Sequence, residues 1–492
     1  MAASLLVLSG LLIPLSTLPA SPPWFIDATE AFGLGDHSLG EKAAFGDLDG
    51  DGLPDLLSGG RVWWNRGGSR FEPHVAPGDG LLVDLDADGT ADVVTISPPG
   101  VHFGRIADGR VSFDPAVIKD LPATVSRSAA ALDVDRDGLL DLYLTGYENW
   151  SDQITYPDLM LRQVRPREFR CEIVSADRRA RGVAAADFDE DGDADLYVSN
   201  YRLQPNTLLV NDGGGRLVDE AAARGAVATS PGFAGGHSIG ACWGDFDGDG
   251  HLDLFAGNFA HVDSRGDQPK SRVLRNQGPE EGWRFEDLGE RGIAYQESYA
   301  SPAAGDIDND GRLDLVFTTV YAVASFDRPN HTVVLRNTPS FKNVDIAGRA
   351  MAWSFVDRTR DAGLEGLPPT YQAAFADVDR DGRLDLVTAK RLFLNRSPRE
   401  DRHWLEVHLA GDPDHWVGPI VGSRVLVRCA DGSVLVREVQ AGTGEGNSDS
   451  PIIHFGLGPE PGPVVIDVRW PDGARQSIPD VGVDQMVKVL HP

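Results

Sequence analysis

The stretch GDLDGDGLPDLL, residues 46–57, places four aspartates around a glycine. The same pattern, D-x-D-x-D-G-x-x-D, occurs seven times and begins at residues 47, 84, 133, 187, 245, 306 and 377. Every copy has aspartate at positions 1, 3, 5 and 9 and glycine at position 6. An internal repeat of this kind indicates that each copy marks one supersecondary unit of a repeat protein.

The residue types of the motif suit a calcium ion. Calcium takes six to eight oxygen ligands, and a tight loop with glycine at position 6 lets the carboxylates at 1, 3 and 5 converge. The carbonyl at position 7 and the carboxylate at position 9 complete the ligand set. An EF-hand needs glutamate at position 12, where no copy has an acidic residue. We therefore predict up to seven Ca²⁺ sites, with these ligands: Asp47, Asp49, Asp51, Leu53, Asp55, Asp84, Asp86, Asp88, Thr90, Asp92, Asp133, Asp135, Asp137, Leu139, Asp141, Asp187, Asp189, Asp191, Asp193, Asp195, Asp245, Asp247, Asp249, His251, Asp253, Asp306, Asp308, Asp310, Arg312, Asp314, Asp377, Asp379, Asp381, Arg383 and Asp385.

The composition agrees with this assignment. The formal net charge is −30, and the aspartates at positions 1, 3, 5 and 9 of the motifs are 28 of the 75 acidic residues, so the acidity is concentrated in these loops. An acidic chain of this kind excludes nucleic acid as a partner. The hydrophobic content of 41% is sufficient for a buried core.

The residues that flank each motif predict strands. Position 2 is always apolar, and runs such as LDLYLTG (140–146) follow the motif. A third strand ends in asparagine, as in VLRN (273–276), and a fourth follows, as in RFED (284–287). Four antiparallel strands form a blade, so seven motifs predict an all-β fold with a seven-bladed β-propeller whose hairpin loops bind calcium. FIDATEAFGL (25–34) matches FVDRTRDAGL (355–364), which predicts that residues 25–29 complete the last blade and close the ring.

The chain divides into three predicted regions. Residues 1–20 contain an apolar run before a small-residue site and resemble a signal peptide. Residues 24–396 form the propeller, and residues 402–492 read as a small β-sandwich of short alternating strands. The expected location is secreted, periplasmic or cell surface, with no membrane span in the mature chain.

Two groups of motifs resemble a known family. The pattern F-x-D-x-T-x-x-A-G-L together with GDxDxDGxxDLY resembles the cartilage acidic protein family and its bacterial relatives, whose FG-GAP/VCBS repeats are similar to integrin α-chain propellers. HWLEVHLAG (403–411), HFGLG (454–458) and VRWPDGARQ (468–476) resemble the ASPIC/UnbV domain. This resemblance implies a repeat protein with a C-terminal ASPIC/UnbV domain and a bacterial source.

Recurring aromatic residues suggest where a ligand binds. In an up-and-down blade the calcium loops lie on one face, and the second-to-third-strand and inter-blade loops lie on the other. The predicted ligand-binding residues of that opposite face are Tyr147, Tyr201, Phe259, Tyr321, His37, His237, Tyr299 and Tyr371. Aromatic and polar side chains suit a glycan, a protein or a small polar ligand. Packing between blades is the alternative role for these residues.

No catalytic signature is present. The chain has no G-x-S-x-G, H-E-x-x-H or phosphate loop, so no catalytic residue is assigned. The sequence favours an exported binding or interaction module in which calcium stabilises the blades. The alternative is an enzyme of the lyase, alkyl-transfer or cyclisation type, with its active site at the propeller channel on the face opposite the calcium loops. A cluster of His, Arg and Tyr at the channel would favour the enzyme.

Overall fold

The computed structural model describes residues 22–35, 39–97, 100–107, 110–115, 117–119, 121–263, 266–323, 329–339, 353–398, 401–411 and 418–492. The predicted signal peptide and His37 lie outside these residues. The fold is all-β, with seven consecutive antiparallel sheets followed by two further sheets. Within the described residues, no helix is long and apolar enough to span a bilayer.

The seven repeat sheets are numbered here in chain order, and loop 1 to loop 7 are the motifs that connect the first two strands of each. Sheets 1 to 4 consist of Ala44–Gly46, Asp55–Leu57, Arg61–Asn65 and Phe71–Val75; Gly80–Val83, Asp92–Ser97, Gly100–Ala107 and Arg110–Pro115; Ala129–Leu132, Asp141–Leu144, Asp158–Arg165 and Glu168–Ser175; and Ala180–Ala186, Asp195–Asn200, Thr207–Asn211 and Leu217–Asp219. Sheet 3 has a fifth strand, Val117–Lys119, parallel to its fourth.

The remaining sheets repeat the same order. Sheets 5 to 7 consist of Ser238–Gly244, Asp253–Asn258, Arg272–Asn276 and Phe285–Asp287; Tyr299–Gly305, Asp314–Thr319, Val333–Pro339 and Trp353–Asp357; and Ala373–Ala376, Asp385–Thr388, Arg391–Asn395 and Phe25–Asp27. The connections contain two short hairpins, two one-turn helices and a 3₁₀ turn: Glu148–Asn149 with Ile154–Thr155, Val262–Asp263 with Gly266–Asp267, Ala221–Arg224, Thr359–Ala362 and Pro279–Glu281.

The sheets form a closed ring. The first strands of successive sheets contact each other, and the first strand of sheet 7 contacts that of sheet 1. Phe25–Asp27 pairs antiparallel with Arg391–Asn395, with Phe25 opposite Asn395. The N-terminal strand therefore completes the last sheet, as the matching sequences predict.

Neighbouring sheets pack through apolar side chains. Between sheets 4 and 5, for example, Tyr197, Trp243 and Leu254 are buried in one cluster. Complete burial of a large apolar side chain stabilises a fold by about 1.5–3 kcal/mol, so these inter-sheet layers dominate the stability of the ring.

The asparagine that ends most third strands connects one sheet to the loop of the preceding sheet. Asn276 Nδ2 donates to the carbonyl oxygens of Phe188 in loop 4 and Leu252 in loop 5, at 2.9 and 3.2 Å. Equivalent bonds to position 2 of the preceding loop join Asn65 to Val378, Gln163 to Leu85, Asn211 to Val134, Asn337 to Phe246 and Asn395 to Ile307. The recurring asparagine is thus a link between sheets.

The C-terminal region has two sheets around its own core. One contains Ile453–Gly458, His403–Ala410 and Gln485–Leu490; the other contains Val434–Glu438, Arg424–Arg428, Val464–Arg469 and Arg475–Val481. Their inner faces bury residues such as Leu405, Phe455 and Trp470.

A segment of the C-terminal region, residues 441–450, enters the ring, and we call it the plug. Its backbone bonds to the innermost strands of several sheets: Gly444 N–H donates to Ala241 O, and Phe45 N–H donates to Ser448 O, each at 3.0 Å. A Cβ on Gly182 would lie 2.2 Å from Gly444 O, so the inner strand of sheet 4 needs glycine at this point. The centre of the ring is therefore occupied by the chain itself.

Candidate calcium loops and the opposite face of the ring

Loop 1 shows how the repeated motif folds. The N–H of Gly52, which has φ +81°, donates to Asp47 Oδ2 at 2.9 Å, and Leu53 N–H donates to Asp51 Oδ1 at 2.8 Å. Asp55 is held by the N–H groups of Leu48 and Asn65, at 3.0 and 2.7 Å. In every loop the glycine N–H bonds the first aspartate: Gly89 to Asp84, Gly138 to Asp133, Gly192 to Asp187, Gly250 to Asp245, Gly311 to Asp306 and Gly382 to Asp377.

The carboxylates of each loop converge and are poorly solvated. In loops 1 to 4, one oxygen from each of positions 1, 3 and 9 lies within 4.8 Å of the other two. Burial, followed by repulsion from neighbouring aspartates, raises the pKa of Asp55 to about 8 and that of Asp47 to about 6. The pKa of the aspartate at position 9 is raised in the other six loops as well. A bound cation would offset this cost of burying negative charge.

Unsatisfied oxygens test whether the loops fit a metal ion. The Oδ1 atom of the aspartate at position 3 is buried and accepts no hydrogen bond in loops 2, 3, 4 and 7, where that residue is Asp86, Asp135, Asp189 or Asp379. Buried carboxylate oxygens are normally paired. An oxygen-only donor set with an unpaired oxygen at its centre fits calcium, a hard cation. The ligand roles predicted for the aspartate at position 5 and for the backbone carbonyl at position 7 stay predictions.

An arginine pairs with the aspartate at position 3 of each loop, a feature that the motif itself does not reveal. The pairs are Arg66–Asp49, Arg167–Asp86, Arg162–Asp135, Arg224–Asp189, Arg275–Asp247, Arg336–Asp308 and Arg396–Asp379, with N–O distances from 2.5 to 3.6 Å. Loop 2 differs, because Arg167 also bonds Asp92 at position 9. In loop 2 one guanidinium thus bridges the carboxylates at positions 3 and 9.

The C-terminal region covers part of the face that carries the loops. Arg424 Nη2 donates to Glu190 Oε1 in loop 4 at 2.9 Å and to Gly250 O in loop 5 at 2.8 Å. Arg402 pairs with Asp308 in loop 6 at 2.8 Å. Loops 4 to 6 thus contact the chain's own C-terminal region, and His454 Nε2 lies 3.2 Å from Gly382 O in loop 7.

On the opposite face, Arg181 is the centre of an aromatic cluster. Its guanidinium lies 4.8, 5.5 and 5.3 Å from the ring centres of Tyr147, Tyr201 and Tyr371. Its Nη2 lies 2.6 Å from Oε1 of Glu445, at the tip of the plug. Burial alone would lower the pKa of Arg181, but Glu445 together with Tyr371 and Tyr147 outweighs that effect, and the pKa is raised. Arg181 is therefore positively charged and held in place.

A second arginine and a lysine lie beside this cluster. Arg127 Nε donates to the same Glu445 oxygen at 3.0 Å, and Lys42 Nζ donates to the backbone carbonyl of Arg127. Burial lowers the pKa of Lys42 to about 8. Both side chains line a cavity of about 260 Å³ that also borders Gly446 of the plug. Two arginines therefore pair with one plug carboxylate, and Lys42 lies beside them.

Aromatic and histidine rings continue the cluster across sheets 4 to 6. Tyr201 lies 4.7 Å from His237, which lies 5.5 Å from His261, measured between ring centres. Phe259 lies 4.3 Å from His261 and 5.6 Å from Tyr321. His261 Nδ1 is 2.7 Å from Glu297 Oε1, so a carboxylate orients this imidazole.

The structure brings together most of the residues predicted for this face, but not all. Tyr147, Tyr201, His237 and Tyr371 lie around Arg181, with Phe259 and Tyr321 farther along the cluster. Tyr299 lies elsewhere: it stacks on Phe317 at 4.1 Å inside the core of sheets 5 and 6, because it begins an inner strand. Phe259 is itself buried. His37 is outside the described residues.

Sequence reasoning missed the charged half of the cluster. Arg127 and Arg181 come just before or at the start of inner strands, where no repeated pattern marks them. Glu445 lies in AGTGEGNSDS (441–450), whose small residues allow close packing within the ring. That glycine- and serine-rich run is the signal that could have indicated a buried, tightly packed segment.

Comparison with known protein families agrees with the sequence motifs. An FG-GAP-like repeat matches residues 84–144 and 187–256, and ASPIC and UnbV matches residues 418–492. The chain is 24% identical over 390 residues to mouse (Mus musculus) cartilage acidic protein 1, covering 74% of this chain and 55% of that protein. For the human (Homo sapiens) protein, the values are 23% over 390 residues, 74% and 54%. The chain thus spans about half the length of the curated relatives it matches.

Solved structures with a similar arrangement are distant. One is a lectin from Agrocybe aegerita that recognises non-reducing terminal N-acetylglucosamine, with 15% identity, a TM-score of 0.41 and coverage of 70% of this chain and 87% of that one. Another is Sqt1 from Saccharomyces cerevisiae, with 11% identity, a TM-score of 0.35 and coverage of 93% and 98%.

Proposed function

We propose that this chain, which carries FG-GAP repeats and an ASPIC/UnbV domain, is an exported binding module built on a calcium-stabilised, seven-bladed β-propeller. The observation that supports it is the tyrosine–arginine cluster around Arg181 on the face opposite the loops. The loop face is partly covered by the C-terminal region, which under this proposal is a small β-sandwich over residues 402–492. The exported form follows cleavage of residues 1–20.

The calcium ions have a structural role in this proposal. Each ion neutralises carboxylates that otherwise repel each other within a few ångström of one another. Extracellular calcium modules bind with dissociation constants of about 10⁻⁴–10⁻³ M, which suits a protein outside the cytoplasm. Filled loops hold the hairpins of neighbouring sheets in register and so keep the opposite face rigid.

The ligand is a glycan, a protein or a small polar molecule. Tyrosine rings offer flat apolar surfaces and hydroxyl groups, and arginines beside them favour a ligand with oxygen acceptors. The tyrosine rings are partly buried and Tyr321 is exposed, so the cluster reaches the surface.

Capture on immobilised glycans and peptides in calcium buffer tests the binding function. We expect Tyr147→Ala combined with Tyr201→Ala to abolish capture while the melting temperature stays near that of the wild type. Ile173→Ala, at an exposed position of a fourth strand, is the control and should bind normally. A large fall in melting temperature in the tyrosine variant would instead assign these rings to packing between sheets.

An enzyme is the second candidate function, and one observation favours it. His237, His261 and Arg181 converge with tyrosines at the channel mouth, and Glu297 orients His261 as it would orient a general base. Lyase, alkyl-transfer or cyclisation chemistry would use such a base. Mass spectrometry on captured compounds discriminates the two: a new mass formed by the wild type but not by His261→Ala supports the enzyme, and an unchanged ligand supports the binding module.

A further inference from the structure

We propose that loop 2 binds no calcium, because the guanidinium of Arg167 is the cation of that loop. The inference rests on the proposed calcium function of the other loops. It predicts that the chain has at most six calcium sites, although all seven motifs have the same aspartates.

The position of Arg167 carries the inference. Arg167 lies in the turn between the third and fourth strands of sheet 3 and reaches back to loop 2. Its Nε donates to Asp86 Oδ2 at 2.5 Å, and its Nη2 donates to Asp92 Oδ1. The side chains of Arg167, Asp86 and Asp92 are only 11%, 9% and 4% exposed. The guanidinium therefore bridges the carboxylates at positions 3 and 9, and a calcium ion in loop 2 would need the same two carboxylates as ligands.

Arginines at other loops take a different position. Arg396 pairs with Asp379 and Asp381, the aspartates at positions 3 and 5 of loop 7. Asp385, the aspartate at position 9, accepts there from the backbone N–H groups of Asn395 and Val378, at 2.7 and 3.0 Å. Arg275 at loop 5 and Arg336 at loop 6 likewise pair with the aspartates at positions 3 and 5.

Sheet 2 has no amide side chain at the equivalent position of its third strand. In sheet 1, Trp63 pairs with Leu56, and Asn65 follows two residues later. In sheet 2 the corresponding pair is Gly104 with Val93, so Ile106 stands where the asparagine would be. Asp92 Oδ1 accepts from Arg167, whereas the equivalent oxygen in the other loops accepts from the backbone N–H of the asparagine, or of Gln163 in loop 3.

The backbone of sheet 3 is adapted to this contact. Arg167 has φ +63° and donates its N–H to Gln163 Oε1. In the equivalent turns of sheets 1, 4 and 5, the N–H that bonds the asparagine side chain belongs to Gly68, Gly213 or Gly278, with φ from +66° to +72°. A conformation that favours glycine is thus used here for a long cationic side chain.

The electrostatics oppose a second cation in the same loop. Asp86 Oδ1 accepts no hydrogen bond, so one free oxygen remains there. Calcium needs six to eight oxygens, and a guanidinium between two of the ligands repels a divalent ion. Arg167 offsets part of the negative charge of loop 2, and its two ion pairs join sheets 2 and 3 without metal.

Calcium bound per chain, measured by equilibrium dialysis and elemental analysis of the full-length protein, tests the inference. We expect Asp385→Asn to lose one ion per chain relative to the wild type. Asp92→Asn, its exact counterpart in loop 2, should lose none. Arg167→Gln removes the competing charge and should gain one ion.

Each outcome is decisive. Loss of one ion in Asp92→Asn overturns the inference and leaves the calcium function of the other loops intact. If Asp92→Asn does not fold, an Arg167→Gln variant with no gained ion overturns it instead. A wild-type protein that binds no calcium contradicts the proposed function itself and the inference with it.

Discussion

At single residues, the amide at the end of the third strand in six of the seven sheets has two tasks. Its backbone N–H donates to the aspartate at position 9 of its own loop, and its side chain donates to a carbonyl of the preceding loop. Asn395, for example, bonds Asp385 through its backbone and Ile307 O through its side chain. The repeated asparagine is visible in the sequence, but its inter-sheet bond is not, because that bond depends on the distance between strands about 90 residues apart. Gln163 performs both tasks with a longer side chain.

Replacement of one such amide has a predictable cost. Asn276→Ala leaves the buried carbonyls of Phe188 and Leu252 without their donor, so we expect it to lower the free energy of unfolding by about 1–3 kcal/mol. Urea unfolding measures this. Asn149→Ala, whose side chain bonds Asp152 in a solvent-exposed loop, is the matched control and should change the value by less than about 0.5 kcal/mol. Equal effects of the two variants would contradict the role of the link.

The buried amine of Lys42 predicts a pH dependence. Burial lowers its pKa from 10.5 in the unfolded chain to about 8 in the folded protein. Between these values the unfolded state binds more protons, so this group makes the protein more stable as pH rises from 8 to 10.5. Lys42→Met removes that rise, which amounts to at most about 1.4 kcal/mol per pH unit.

Unfolding of both proteins by urea at pH 7, 8, 9 and 10 checks this expectation. The difference in free energy between the variant and the wild type should change steadily above pH 8 in favour of the wild type. A difference that is constant over this range would show that the Lys42 amine is not desolvated in the folded protein.

At the scale of elements, the hairpins and the plug differ in how far the sequence determines them. Each hairpin is local: a nine-residue motif, an apolar second position and a β-type run specify it, and the structure has a hairpin at every motif. The plug is not local. Residues 441–450 have neither a strand pattern nor a repeat partner, and their position depends on backbone contacts with sheets up to about 400 residues earlier, such as the bond from Ser448 N–H to Ala43 O.

Glycines of the inner strands make room for the plug. A Cβ on Gly182 would lie 2.2 Å from Gly444 O, so Gly182→Ala should displace the plug and lower the free energy of unfolding by about 1–3 kcal/mol. Limited proteolysis should then cut within residues 441–450. Gly214→Ala, where the nearest atom would be 3.4 Å away, is the control and should behave as the wild type. Protection of the plug in Gly182→Ala would contradict the close packing.

At the scale of the whole molecule, closure of the ring depends on a three-residue strand. Phe25 is 3% exposed and packs with Leu386 and Phe393, whereas its neighbour Ile26 is 48% exposed. Phe25→Ala should therefore cost about 3–5 kcal/mol of unfolding free energy, and Ile26→Ala less than about 0.5 kcal/mol. Urea denaturation compares them. Equal small effects would mean that the N-terminal strand contributes little to closure.

The match between residues 25–34 and 355–364 was sufficient to predict this closure, because a repeat interrupted at the chain ends must be completed by them. The same reasoning could not predict that the C-terminal region contacts loops 4 to 6 and fills the channel. Those contacts use arginines such as Arg402 and Arg424, whose partners are set by three-dimensional docking and follow no period.

Removal of calcium should act on the whole ring at once. A ligand that binds only the folded state stabilises it by about 1.4 kcal/mol per site when its free concentration is ten times its dissociation constant. Most loops are bonded to the next sheet through an amide side chain, so we expect excess chelator to lower the melting temperature cooperatively. Added calcium should restore the melting temperature in proportion to the logarithm of its concentration. Magnesium, which demands octahedral geometry and dehydrates reluctantly, is the control and should restore much less. An unchanged melting curve in chelator would contradict structural calcium and would leave the loop arginines as the main source of charge balance.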